Sequence, residues 1–214
     1  MQNDLTSYRR SYEKGRLLET EIPADPLILF RAWFDLADES SLVEEANAMS
    51  ISTVGKDLMP KTRIVLLKSF DPEGFIFFTN YESDKGKHLK ENPKCCLSFF
   101  WPALEKQVII QGEVTKVEEE ESDKYFHSRP RGSQLGAHAS NQSSVIPSRH
   151  YLEDKLAELE RKFENKDVPL PSYWGGYLVK PLSIEFWQGR KNRLHDRILY
   201  SKEGDNWKFE RLAP

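Results

Sequence analysis

The spacing of apolar residues changes once near Ala46, and that change limits the folds open to this chain. Before it, Leu27, Phe30, Phe34 and Ala37 recur at helical spacing. They follow Asp25-Pro26, a capping residue with a proline at the first helical position, which predicts an amphipathic helix over 26–38. After it, apolar and polar residues alternate with a period of two, predicting strands near 47–54, 61–70, 75–80, 94–101 and 106–117. Gly55-Lys56-Asp57, Asp71-Pro72-Glu73-Gly74 and Pro102-Ala103-Leu104-Glu105 supply turns between them. Residues 83–91 read as a Ser-capped helix ending before Asn92-Pro93, and 118–127 as another stopped ahead of Pro130. Residues 129–147 hold almost no periodicity and predict a long loop, a feature more often functional than accidental. The clearest helix is 148–164, with Leu152, Leu156, Leu159 and Phe163 as its buried stripe. Strands return at 174–180, 182–188, 194–201 and 207–212. Eight or nine strands with few helices between them specify a mainly β, α+β chain built as an antiparallel barrel or sandwich.

The 214 residues suit one domain over 25–214, preceded by a polar segment, 1–24, expected to be mobile until something orders it. With 31 basic against 34 acidic side chains, nothing draws the chain generally to nucleic acid or to a membrane, so any anion preference must be local. No apolar run is long enough to span a membrane, and the first residues lack the apolar core of a signal peptide. Cys95 and Cys96 are adjacent on an expected strand and face opposite ways, a poor disulfide or metal pair that suits a reducing cytoplasm. The five histidines show no ligand spacing, so no metal is expected.

Local cation clusters do occur. Arg193, His195 and Arg197 alternate with Leu194, Asp196 and Ile198, so an extended run would put three cation-capable groups on one face. Such a face suits an anion, or else a solvated strand edge that discourages aggregation. Arg63 and Lys68 bracket an apolar run, Thr79 closes another, and Lys85 and Lys87 fall in a first helical turn where plain surface is the simpler reading. Arg129 and Arg131 flank Pro130, with Ser133, Gln142, Ser143 and Ser144 nearby. Neither a Gly-x-Gly-x-x-Gly nor a Walker-type loop is present, so side chains would have to grip any phosphate. Each charged hydrogen bond to a phosphate contributes ~1.5–3 kcal/mol, and two or three give firm binding.

The runs Arg63-Ile-Val-Leu-Leu-Lys68, Phe77-Phe-Thr-Asn80, Tyr125-Phe-His-Ser-Arg-Pro130, Asn141-Gln-Ser-Ser144, Trp174-Gly-Gly176, Glu185-Phe-Trp-Gln-Gly189, Arg193-Leu-His-Asp-Arg197 and Glu210-Arg-Leu-Ala-Pro214 closely resemble the pyridoxine/pyridoxamine 5′-phosphate oxidase family. The likeness runs from Arg9 to the last residue. It implies an antiparallel Greek-key split β-barrel, a homodimer with FMN between subunits, and oxidation of pyridoxine or pyridoxamine 5′-phosphate to pyridoxal 5′-phosphate by O2. Carried over by position, Arg63, Ile64, Val65, Leu66, Phe78, Thr79, Lys85, Gln107, Gln142, Ser143, Trp187 and Arg197 resemble FMN contacts. Lys68, Tyr125, Arg129 and Ser133 resemble the grip on the substrate phosphate. Arg193 and His195, with Leu194 between them, resemble the pair beside the substrate ring, and Arg9, Arg10, Ser11 and Tyr12 an N-terminal flap. Asp84 departs from the pattern, which implies a second basic residue there. A split-barrel flavin reductase or a non-catalytic pyridoxal phosphate carrier are the alternatives.

Overall fold

The computed structural model describes residues 4–8 and 10–214. The elements run α1 (Pro26–Asp38), β1 (Ala48–Val54), β2 (Pro60–Leu66), β3 (Ser69–Asp71), β4 (Gly74–Asn80), α2 (Asp84–Glu91), β5 (Lys94–Trp101), β6 (Lys106–Lys116), α3 (Glu119–Ser128), α4 (Arg131–Ala139), α5 (Arg149–Lys162), β7 (Trp174–Gln188), β8 (Asp196–Glu203) and β9 (Asn206–Leu212). The nine strands hydrogen-bond in the order β2-β1-β5-β6-β7-β4-β3, with β8 on β7 and β9 on β8. The caps read from sequence form, Asp25 accepting the N–H of Leu27 at 2.8 Å and Ser83 that of Gly86, and the structure adds Ser148, which accepts that of Tyr151.

Two compact units divide the chain, one comprising 1–49, 97–111 and 181–214, the other 50–96 and 112–180. In the first, α1 lays Phe30 and Trp33 on the sheet, each ring meeting its neighbour (Phe99 and Phe186) edge-on at 5.2 Å. Tyr200 is buried beside Phe186, and its hydroxyl donates to the carbonyl of Pro23. In the second unit Phe75, Phe77, Tyr177 and Val179 are buried where β4 pairs with the start of β7. A separate cluster of Phe126, Leu135, Val168 and Trp174 is covered by α5 through Leu156, Leu159 and Phe163. That stripe is half-buried, not fully buried as its spacing suggested, because α5 covers a small cluster and not the main core.

Four expectations need correction. Strands 174–180 and 182–188 are one 15-residue strand, β7. Pro181 stands where β7 changes partner along one edge, after pairing with β4 ends at Val179 and before pairing with β8 starts at Ser183. Run 61–70 is split, because the chain breaks between β2 and β3, where the Lys68 N–H donates to Ile76. Residues 131–139 form α4, not a loop. Its first turn is satisfied by the Pro130 carbonyl, while Leu135 packs into the Phe126 cluster and Arg131 donates to the carbonyls of Phe163 and Lys166. These are tertiary anchors that periodicity does not register. Finally, β8 begins only at Asp196. Lys191–Arg193 make a tight 3-10 turn with Asn192 and Arg193 at φ 57° and 62°. Arg193, His195 and Arg197 therefore do not share one strand face.

The N-terminal segment is tied down. Glu105 Oε2 accepts from the N–H groups of Glu13 and Lys14, Arg190 donates to the Gly15 carbonyl, and Arg211 donates to that of Leu17 and pairs with Glu19. The fit is close: a Cβ on Gly15 would fall 2.7 Å from Gln188 Oε1, and one on Gly189 2.8 Å from Tyr12. Neither Cys95 nor Cys96 is in a disulfide; Cys95 is buried and Cys96 half-buried.

Candidate active site

In the second unit, β2, β4, α2, α3, α4 and the first residue of β7 enclose a cavity of about 620 Å³. Its wall is aromatic. Alternation along β4 sends Phe77 into the core and Phe78 to the cavity, where it stacks on Tyr125 at 4.0 Å and on Trp174 at 5.6 Å. Arg129, the residue that ends α3, places its guanidinium 4.7 Å from the Trp174 ring centre. Its Nη1 is buried without a hydrogen-bond partner. Burial lowers the Arg129 pKa, opposed by Tyr125, yet a guanidinium stays charged at any ordinary pH. A buried cation with a free N–H is costly unless an anion meets it. Lys68 lies 5.9 Å from the Tyr125 ring, and Ser133 lines the same cavity from α4.

A neighbouring hollow opens at the N-terminus of α2, lined by Lys61, Thr62, Arg63, Ile64, Asp84, Lys85, Gln142 and Ser143. Arg63 is clamped through Nη1, which donates to Thr53 Oγ1 at 2.7 Å, to the Lys61 carbonyl at 2.9 Å and to that of Ile51 at 3.4 Å. Behind it, Thr53 meets His88 Nδ1 at 3.2 Å, and both are buried. Lys85 donates to Thr79, Ser83 and Gln142. Burial, with Arg63 beside it and Asp84 opposing, brings its pKa down to about 8. The Asp84 N–H donates to Ser143 Oγ, so Ser143, at φ 71°, sits over the start of α2. Cations, a helix start and hydroxyls together form a set that fits a phosphate dianion.

In the first unit, Tyr12, Trp187 and His195 form a half-buried triangle, with Tyr12 edge-on to Trp187 at 5.7 Å and to His195 at 5.6 Å. Trp187 and His195 are 4.8 Å apart. His195 Nδ1 lies 3.0 Å from the Arg190 N–H, which donates to it. An Nδ1 that accepts leaves the neutral ring's proton on Nε2. Burial and the Arg193 charge lower the His195 pKa, against a smaller opposing effect of Asp196.

Residues 38–163 match the family model described as pyridoxamine 5′-phosphate oxidase, and residues 174–214 match one described as the pyridoxine 5′-phosphate oxidase C-terminal dimerisation region. The chain belongs to the pyridoxamine 5′-phosphate oxidase family. A pyridoxine/pyridoxamine 5′-phosphate oxidase of Christiangramia forsetii is 72% identical over all of both chains. Another, from Flavobacterium johnsoniae, is 58% identical over 99% of each. Among solved structures, PhzG from Burkholderia lata, in complex with tetrahydrophenazine-1-carboxylic acid, is similar at TM-score 0.85 and 30% identity, covering 92% of this chain and 98% of its own. A pyridoxamine 5′-phosphate oxidase-related FMN-binding protein from Nostoc punctiforme, with TM-score 0.68 and 15% identity over 90% of this chain and 100% of its own, shares the split-barrel fold.

Of the residues that the family resemblance pointed to, Ile64, Val65, Leu66, Lys68, Phe78, Thr79, Lys85, Tyr125, Arg129, Ser133 and Gln142 line the larger cavity. Arg63 and Ser143 line the hollow beside it. Lys85, read from its spacing alone as plain surface, is buried, whereas Lys87 is exposed. Trp187, His195 and Tyr12 meet in the first unit, where Arg193, Leu194 and Arg10 are exposed and Ser11 bonds Glu13. Arg197 is bound to Glu185 and to the Ala213 carbonyl. Gln107 donates to Ser98. Arg9 lies outside the described residues. Three supporting residues went unnoticed in the sequence. Thr53 and His88 carry no pattern of their own, while Lys61 could have been found from its period-two relation to Arg63.

Proposed function

We infer that the chain oxidises pyridoxine 5′-phosphate and pyridoxamine 5′-phosphate to pyridoxal 5′-phosphate, with FMN as its cofactor and O2 as the final electron acceptor. The observation that carries this reading is Arg129: a half-buried guanidinium whose Nη1 is buried and unpartnered, over the Trp174 ring in an aromatic-walled cavity. That is a seat for a flat ring bearing an anion. The high identity to named oxidases supports the same reading.

The residues fit FMN. Arg63, Lys85, Ser143 and the start of α2 would hold its phosphate, and Ile64–Leu66, Thr79 and Gln142 would line its course. When bound, the flavin supplies a two-electron acceptor that O2 reoxidises to give H2O2. The chain supplies orientation. Arg129, Lys68 and Ser133 anchor the vitamer phosphate, and Phe78 and Tyr125 keep the cavity dry and flat-sided. His195, with its proton on Nε2, can donate a hydrogen bond more readily than it takes up a proton, which suits the role beside a substrate ring that the family resemblance implies. Oxidation of the amine substrate leaves an imine, which water hydrolyses to aldehyde and ammonia.

The active form is a homodimer. Exposed Ile64, Phe100 and Leu182 leave apolar strand surface for a second copy to cover. Two cysteines outside any disulfide suit the reducing cytoplasm. An aerobic assay with pyridoxine 5′-phosphate and FMN tests the activity: aldehyde and peroxide should appear in equal amounts. A requirement for a nicotinamide donor, or no turnover, would overturn it.

A further inference from the structure

The hollow at the start of α2 holds three cations and one carboxylate, and the carboxylate is out of place in a seat for an anion. Two of the cations are fixed. Arg63 is clamped by Thr53 and the Lys61 carbonyl, and Lys85 is buried with three hydrogen bonds. Lys61 differs from both. Its backbone carbonyl helps to hold Arg63, while its ammonium donates to Asp84 Oδ2 at 3.1 Å. That pair is about half-exposed on both sides, at 46% and 45%. Ion pairs this open are weak, and a lysine stem is long enough to change partner.

We propose that Lys61 is a phosphate-binding residue of the cofactor seat and that Asp84 holds its ammonium at the rim until the phosphate takes it over. This rests on reading the hollow as the FMN phosphate site. Asp84 is well placed to wait there, because a carboxylate in the first turn of a helix is favoured by the helix dipole and stays ionised beside Lys61. Once Lys61 turns to the phosphate, the same carboxylate faces the dianion. Asp84 therefore sets how loosely the cofactor is held.

The test is flavin titration of the full-length protein freed of flavin, at low salt, comparing FMN with riboflavin, which has no phosphate. Lys61→Gln should weaken FMN about tenfold and leave riboflavin unchanged, with Lys61→Arg restoring FMN. Asp84→Asn should tighten FMN about threefold, again without effect on riboflavin. The inference is overturned if Lys61→Gln leaves FMN affinity within twofold, if it weakens both flavins equally, or if Asp84→Asn weakens FMN. A parent protein that takes up neither flavin would overturn the flavin reading, and this inference with it.

Discussion

Glu105 Oε2 accepts the backbone N–H of Glu13 at 2.7 Å, joining positions 92 residues apart. The same oxygen takes the Lys14 N–H at 2.9 Å, so one buried carboxylate fixes the segment that sets Tyr12 against His195 and Trp187. Two charge-assisted bonds are worth about 3–6 kcal/mol gross, less where solvent can replace them. Glu105→Ala should release the segment, with loss of the Tyr12 contacts to Trp187 and His195, while FMN affinity holds. Trypsin cleavage after Lys14 and Arg16 should quicken in parallel. Glu105→Gln, which keeps one acceptor oxygen, should recover most of the loss. Unchanged proteolysis in the alanine variant would refute the anchoring role.

Arg129 gives a prediction of opposite signs. Its free Nη1 costs stability in the unliganded protein. Arg129→Leu should leave the melting temperature unchanged or raise it, while KM for the phosphorylated vitamer rises about a hundredfold. A large fall in melting temperature would mean that the guanidinium holds the fold and not a ligand.

Thr53 is tested by removing its hydroxyl. Thr53→Val deprives Arg63 of its shortest acceptor and leaves His88 Nδ1 buried without its hydrogen-bond partner. The expected costs are about 1–3 kcal/mol of stability and a several-fold weaker hold on FMN. Denaturant unfolding and flavin titration measure the two separately, and a variant altered in neither would refute the link between Thr53 and Arg63.

For His195 the sign follows from its lowered pKa. The unfolded chain, with an ordinary imidazole near 6.5, binds the proton more tightly than the folded one. Stability is therefore fullest above pH ~6.5 and declines as pH falls through the folded pKa. Arg193→Gln removes a neighbouring positive charge and should move the imidazole titration, followed by NMR, toward 6.5. A downward shift, or none, would show that Arg193 does not act on the ring.

The sequence revealed whatever local chemistry dictates. Asp25-Pro26 and Ser83 start helices through their own side chains, and the strands near 47–54, 75–80, 94–101 and 106–117 form close to where the spacing put them. It misled where distant groups decide. The helix at 131–139 exists because Leu135 finds the Phe126 cluster and Arg131 finds carbonyls 32 and 35 residues away. Arg193 leaves the strand face because a left-handed turn at Asn192 closes first. In the candidate site, Arg63 and Lys68 stood out as cations bracketing an apolar run, whereas the burial of Lys85 required α2 to be folded against Thr79 and Gln142.

The composition of α4 has a consequence for turnover. Gly132 and Gly136 both face open space, where a Cβ would meet nothing within 4 Å, and each costs the helix about 1 kcal/mol relative to alanine. A nine-residue helix so built, buried only at Leu135 and Ala139, is held by its tertiary anchors more than by its own propensity. Its amides should be among the first to exchange with deuterium. Because Ser133, Gly136 and Ala137 line the larger cavity, Gly132→Ala and Gly136→Ala together should slow that exchange, and the turnover of this double variant tests whether the wall must move.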